Sequence, residues 1–154
     1  MDNLSFDNRE GYIWYNGNLL EWKNANVHVL NHGLHYASCV FEGERAYRGK
    51  IFETIKHTER LFNSAKSLDM EIPFSEKEIV KAKEILLGKN SLSDAYVRPV
   101  VWRGSEMMAV SAQSTKIHVA IAVWEWPSYF DPEQKMKGIK LDIAKWRRPS
   151  PECG

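Results

Sequence analysis

Cysteine is scarce in this chain, and so is any excess of charge. The two cysteines, Cys39 and Cys153, stand far apart and make no metal-ligand pattern. So few thiols point to a reducing compartment. Lys and Arg number 21 against 20 Asp and Glu, a formal net charge of +1. That balance gives no basic face for nucleic acid or an anionic membrane to recognise. No apolar run approaches the roughly 20 residues that span a bilayer. Residues 1–11 are polar and hold no signal-peptide core. Internal repeats and low-complexity tracts are missing as well. The expectation is a cytoplasmic globular protein with neither a nucleic-acid nor a membrane partner.

What is present supports a packed core: 154 residues, 44% of them hydrophobic, with six tryptophans. Tyr12-Ile13-Trp14-Tyr15 and Leu19-Leu20-Glu21-Trp22 flank Asn16-Gly17, a pair that tolerates positive φ and marks a β-hairpin. Residues 46–52 read as a second hairpin turning at Gly49. A helix is expected from about Thr58, with Leu61, Ala65 and Leu68 as its buried stripe, and Pro73 ends that unit. Ser75-Glu76-Lys77-Glu78 is a capping box. Ile79, Ala82 and Leu86 mark the buried face of the helix that follows, and residues 88–90 stop it. Residues 95–102 and 117–126 are β-type runs rich in β-branched and aromatic side chains. Residues 127–132 read as a linker, and residues 138–144 alternate like a strand that opens something new. These elements predict an α/β (α+β) fold, a mostly antiparallel sheet with two helices on one face. The expected domains are 1–130 and the opening strand of a second, 131–154.

The densest chemistry lies in Val27-His28-Val29-Leu30-Asn31-His32-Gly33-Leu34-His35-Tyr36, followed by Val40-Phe41-Glu42-Gly43. No amphipathic period explains this mosaic, and mixed groups beside glycines suit a pocket wall. The histidine spacing fits no helical zinc motif, so packed or hydrogen-bonded histidines are expected. Glu42, a lone carboxylate, is a candidate general base. Cys39 reads as a small buried hydrophobe, and Trp102, Trp124 and Trp126 as packing residues in strands. Arg60, near a helix start, reads either as a solvated face or as a clamp for an anion. Tyr96 and Arg98 share one strand face and could hold a carboxylate; an arginine on the wet side of an edge strand is the competing reading, which Pro99 supports.

Taken in order, Tyr12-Ile13-Trp14-Tyr15-Asn16-Gly17, the histidine segment, Val40-Phe41-Glu42-Gly43, His57-Thr58-Glu59-Arg60-Leu61 and Ala95-Tyr96-Val97-Arg98-Pro99 closely resemble bacterial branched-chain amino acid aminotransferases, fold-type IV pyridoxal-phosphate enzymes. The resemblance runs from about Tyr12 to Pro151. It implies the small N-terminal domain of a two-domain enzyme, plus the opening of the large one. It implies pyridoxal phosphate as cofactor. Leucine, isoleucine or valine would give up an amino group, and 2-oxoglutarate would collect it as glutamate. By position, Arg60 resembles the arginine that binds the cofactor phosphate. Tyr36, Phe41 and Tyr129 resemble substrate-pocket walls. Arg98 resembles the receptor of glutamate's distal carboxylate, and Tyr96 a partner of the α-carboxylate. Met108 and Val110 lie on a loop that resembles one reaching into a neighbouring subunit's site, which implies a homodimer.

Departures accompany the resemblance. The family's Schiff-base lysine would fall beyond Gly154, so the 154 residues are expected to be an N-terminal portion without turnover of their own. Position 37 is Ala where glycine is common, and position 109 is Ala where Gly is expected; both are tolerable at negative φ. The alternatives are a D-amino-acid aminotransferase or aminodeoxychorismate lyase of the same fold type, or a non-catalytic domain that dimerises or binds other chains.

Overall fold

Asn16 and Gly17 both take positive φ, 47° and 91°, and fold strand β1 (Tyr12–Tyr15) onto β2 (Asn18–Glu21) in register. In this computed structural model, which describes residues 5–126, 132–150 and 152, the hairpin is one margin of a seven-stranded antiparallel sheet. A short helix α1 (His32–Tyr36) leads into β3 (Cys39–Phe41), then β4 (Glu44–Tyr47) and β5 (Lys50–Ile51), the second expected hairpin. Helices α2 (Thr54–Ser67) and α3 (Glu76–Lys89) come next, then the long strands β6 (Ala95–Arg103) and β7 (Ile117–Trp124). A six-residue helix α4 (Pro132–Lys137) closes the element order. The sheet runs β2-β1-β7-β6-β4-β5, with β3 also paired to β6.

Alternation along β6 and β7 divides the sheet into two faces. Val97, Val101, Val119 and Ile121 are fully buried against Leu61 and Ala65 of α2 and Ile79, Ala82 and Leu86 of α3. Each such aliphatic side chain contributes about 1.5–3 kcal/mol by leaving water. The stripe expected for α3 is this buried face, and the Ser75–Glu78 capping box starts the helix with both reciprocal bonds made. Tyr96, Arg98, Val100 and Trp102 point the other way, where no helix of the α2–α3 pair covers them.

Four expectations need correction. Helix α2 begins at Thr54, four residues before the expected start. Its first residue follows Glu53, left-handed at φ 51° with no side-chain cap bond, so no capping signal exists to read. Leu68 is exposed at the helix end, and Met70 and Ile72 fill the core instead. Residues 138–144 form no strand, because alternation without a neighbouring strand leaves the ladder unpaired. Trp126 falls after β7 ends. Residues 127–131, most of the expected linker, lie outside the described residues.

Strand β6 is interior, not an edge. β3 and β4 follow one another along it in a single register: Phe41 faces Val100, and Glu44 faces Val97. The ladder breaks only at Glu42–Gly43, opposite Arg98–Pro99. Pro99 has no N–H to give there, and its carbonyl accepts the Glu42 N–H at 3.0 Å. An interior proline is tolerated because the partner strand is interrupted beside it.

Candidate active site

That interruption gathers the functional candidates. Phe41 points to the open face, and the Arg98 guanidinium lies 4.0 Å from its ring centroid, a cation–π stack. Glu42 points to the helix side and takes Arg60 in a two-pronged grip. Nε donates to Oε1 at 2.5 Å and Nη2 to Oε2 at 2.6 Å. Gly43 returns to the open face, where an added Cβ would stand 2.2 Å from the Tyr96 hydroxyl. Only a residue without Cβ allows that close approach. Tyr96 in turn accepts a 2.9 Å hydrogen bond from Arg98 Nη2. Three consecutive residues therefore touch Arg98, Arg60 and Tyr96, which the sequence scatters over nearly 40 positions.

Arg60 occupies the second turn of α2, and its side chain stays 64% exposed while the Glu42 carboxylate is 6% exposed. His57, one turn earlier, adds a 2.8 Å contact from Nδ1 to Glu42 Oε2. Burial pushes the Glu42 carboxyl up, but hydrogen bonds from Arg60 and His57 more than reverse this and leave it below the usual range. Both Glu42 oxygens are occupied by Arg60 and His57, which makes the carboxylate their counter-ion rather than a free general base. It also explains why Arg60 lies where a helix dipole disfavours it. One edge of the guanidinium serves Glu42, and Nη1 donates to no group among the described residues, so it can meet a second anion. Arg98 carries the clearer vacancy: its Nε is buried with no acceptor among the described residues. A bound carboxylate would satisfy it.

The open face forms a cleft of about 430 Å³, lined by Ile13, Tyr15, Val27, Leu34, Arg98 and Trp102 among others. Cys39 also lines it and is exposed, contrary to the expected buried hydrophobe, because β3 turns it toward the uncovered face. Partial burial still pushes its thiol up, so it stays neutral. Phe41 and Tyr36 are 56% and 45% exposed, available as walls. Tyr36 stacks on His32, ring centroids 4.5 Å apart. Met108 and Val110 project from an exposed loop. Tyr129 lies outside the described residues. Ala37 has φ 56°, left-handed and so outside the negative range in which alanine is tolerable, while Ala109 keeps a negative φ.

The histidines are hydrogen-bonded as expected. His28 Nδ1 accepts from the Leu30 N–H, and His35 Nε2 donates to the Val29 carbonyl. Among the described residues no group of three or more His, Cys, Asp or Glu could hold a metal ion. No helix among them is long and apolar enough to cross a membrane. Sequence reasoning missed the pairing of Glu42 and His57 with Arg60. The signal was their order, Glu42 after Phe41 and His57 one helical turn before Arg60, but only tertiary packing joins the two segments.

The family model for amino-transferase class IV matches residues 39–153. A branched-chain-amino-acid aminotransferase of Pseudomonas aeruginosa is 44% identical over 149 residues, covering 94% of this chain and 48% of the relative. The solved branched-chain aminotransferase of Thermoproteus uzoniensis with norvaline superposes with a TM-score of 0.84 at 29% identity, covering 94% of this chain and 49% of that one. A solved T.th. branched-chain amino acid aminotransferase complexed with N-(5'-phosphopyridoxyl)-L-glutamate gives a TM-score of 0.73 at 38% identity, covering 77% and 42%. The chain spans about half the length of the curated relatives it matches.

Proposed function

The chain belongs to the class IV amino-transferase family, and on that premise we propose that it supplies the small-domain side of a pyridoxal-phosphate-dependent branched-chain amino acid aminotransferase. The observation that carries the reading is the convergence of Phe41, Glu42 and Gly43 on Arg98, Arg60 and Tyr96. Residues 131–154 then open the second domain.

The site must take a hydrocarbon side chain in one half-reaction and a second carboxylate in the other. Phe41 and Tyr36 offer apolar surface to leucine, isoleucine or valine, worth about 1.5–3 kcal/mol per side chain buried. Arg98, held over Phe41, offers its guanidinium to the extra carboxylate of glutamate or 2-oxoglutarate, and its buried Nε still lacks an acceptor among the described residues. Tyr96, oriented by Arg98 and admitted by Gly43, offers its hydroxyl to the carboxylate common to all these substrates. Arg60, held by Glu42, turns its remaining edge to the cofactor phosphate. Pyridoxal phosphate supplies the electron sink for amino transfer when bound. The exposed Met108 and Val110 reach the site of a second copy, which makes the working form a homodimer. The balanced charge and sparse cysteine suit cytoplasmic work on small amino and oxo acids.

The test pairs this chain with a separately expressed large-domain half of the Pseudomonas aeruginosa relative and follows amino transfer from leucine to 2-oxoglutarate. Transfer is expected, and Arg98→Met should raise KM for 2-oxoglutarate and glutamate about tenfold or more while sparing leucine, the loss of a charge-assisted hydrogen bond. Arg60→Met should weaken cofactor retention. A complemented enzyme in which Arg98→Met weakens leucine and glutamate equally would refute the assignment.

A further inference from the structure

His32 is 3% exposed and belongs to none of the roles assigned above. Its ring meets three groups on two separate segments. Nε2 lies 3.0 Å from the Ala109 carbonyl oxygen, an acceptor only, so Nε2 carries a proton and donates. In the neutral ring Nδ1 is then unprotonated and accepts from the Ser38 hydroxyl at 2.6 Å. The ring face stacks on Tyr36, one helical turn later on α1, at 28° between planes. Ala109 is the residue between Met108 and Val110. The backbone repeats the link: the His32 N–H donates to the Gly104 carbonyl at 3.0 Å.

The far base of that loop is clasped independently. Glu106 accepts from His118 Nε2 at 2.7 Å and from the Lys116 N–H at 3.0 Å. Asn16 holds the other nitrogen of His118 at 2.8 Å. The Glu106–His118 clasp makes no hydrogen bond or ring contact with Ala109 or Tyr36, so it fixes the loop's root but not its tip relative to α1.

We infer that His32 is a positioning residue which, through one ring in the tautomer set by the Ala109 carbonyl and accommodated by Ser38, locks the Tyr36 wall and the Met108–Val110 tip into a single unit. The inference rests on the aminotransferase reading for the meaning of those walls, but its geometry stands in the chain alone. In that reading the ring couples a wall of a subunit's own pocket to the loop it lends its neighbour. Small residues flank the linkage: a Cβ at Gly33 would meet Trp102 Cβ and the Ser38 carbonyl at 3.1 and 3.2 Å.

The test uses the 154-residue chain without ligand, with ring-nitrogen, Tyr36 ring and Met108 methyl resonances read by NMR. The intact chain should show His32 protonated at Nε2 and bare at Nδ1. His32→Asn, which offers a donor only near the Nδ1 position, should shift the Tyr36 and Met108 signals together. His32→Gln, which restores a donor near Nε2, should return the Met108 signal toward that of the intact chain. Ser38→Ala, a milder change, removes the Nδ1 partner and should shift the same two signals by less, while the Ala109 carbonyl keeps the proton on Nε2. Glu106→Gln, which loosens the loop's root and touches neither ring, should shift Tyr36 along with Met108. A bare Nε2 in the intact chain, or Met108 moving without Tyr36 in His32→Asn and Ser38→Ala, overturns the coupling. That failure leaves the aminotransferase reading standing. Intact coupling, with a complemented enzyme that transfers no amino group, sinks the functional reading alone.

Discussion

The two faces of the sheet are built from the same strands and obey different rules. On the helix face, Val97, Val101, Val119 and Ile121 are sealed, and even the charges there are sealed: Lys83 and Glu44 are both 0% exposed, 2.6 Å apart, with Thr58 Oγ1 2.7 Å from the ammonium. Burial pushes the Lys83 ammonium down despite its partner. On the open face Arg98, Tyr96 and Phe41 hold one another with polar and ring contacts but leave donors unspent. Among the described residues, the helix face closes its charges into an ion pair but leaves Glu44 Oε2 without a donor, and the open face leaves the Nε atoms of Arg98 and Arg45 without acceptors. Glu42 and Glu44, two residues apart on the helix side, mark the transition. Glu44 pairs with a buried lysine, and Glu42 with an arginine that reaches solvent.

The sharpest way to break this contrast is Lys83→Met, which strands the Glu44 carboxylate without a cation. It should cost about 3–5 kcal/mol by urea denaturation, and adding Glu44→Leu should recover much of the loss. If the single change were neutral, the helix face would not be governed by burial as described. Arg98→Met on the opposite face should cost the isolated chain only about 1–2 kcal/mol, the loss of one hydrogen bond and two ring contacts. A loss as large as that of Lys83→Met would make Arg98 structural.

Smaller effects refine the boundary between the faces. Ala37→Gly relieves a left-handed backbone at the end of α1 and should stabilise the chain by up to about 1 kcal/mol in the same measurement, less the extra freedom of unfolded glycine. The smallest effect is a pH dependence. The Glu42 carboxyl is lowered on folding, so its stabilisation is complete above the unfolded carboxylate range of about 4 and is lost as pH falls through the lower folded value. The Glu78 and Glu106 carboxyls shift the same way, so the informative quantity is the difference between the intact chain and Glu42→Gln. That difference should shrink below pH about 4, and a difference that grew there would reverse the sign of the linkage.

Local chemistry was legible where it is local. Asn16-Gly17 announced the hairpin, Ser75 and Glu78 announced α3, and β-branched and aromatic content announced β6 and β7, because each signal acts within a few residues. Helix α2 was misplaced by one turn because Glu53 offers no cap. Residues 138–144 alternate without pairing, because a strand needs a neighbour as well as a pattern. Arg98 was read as equally suited to a wet edge because an interior proline is rare, and only the break at Glu42–Gly43 resolves it.

By itself, then, the chain's order of residues supplied most of the elements and the family resemblance, and singled out the two arginines as candidates. Tertiary structure decided what those arginines touch: Glu42 for Arg60 across 18 positions, and Phe41 for Arg98 across more than 50. It also decided that His32 faces Ala109, 77 positions away. Turn and capping preferences are short-ranged and leave their mark in adjacent residues. A salt bridge or a ring stack depends on which strands lie side by side, and that is fixed only when the whole sheet closes over its helices.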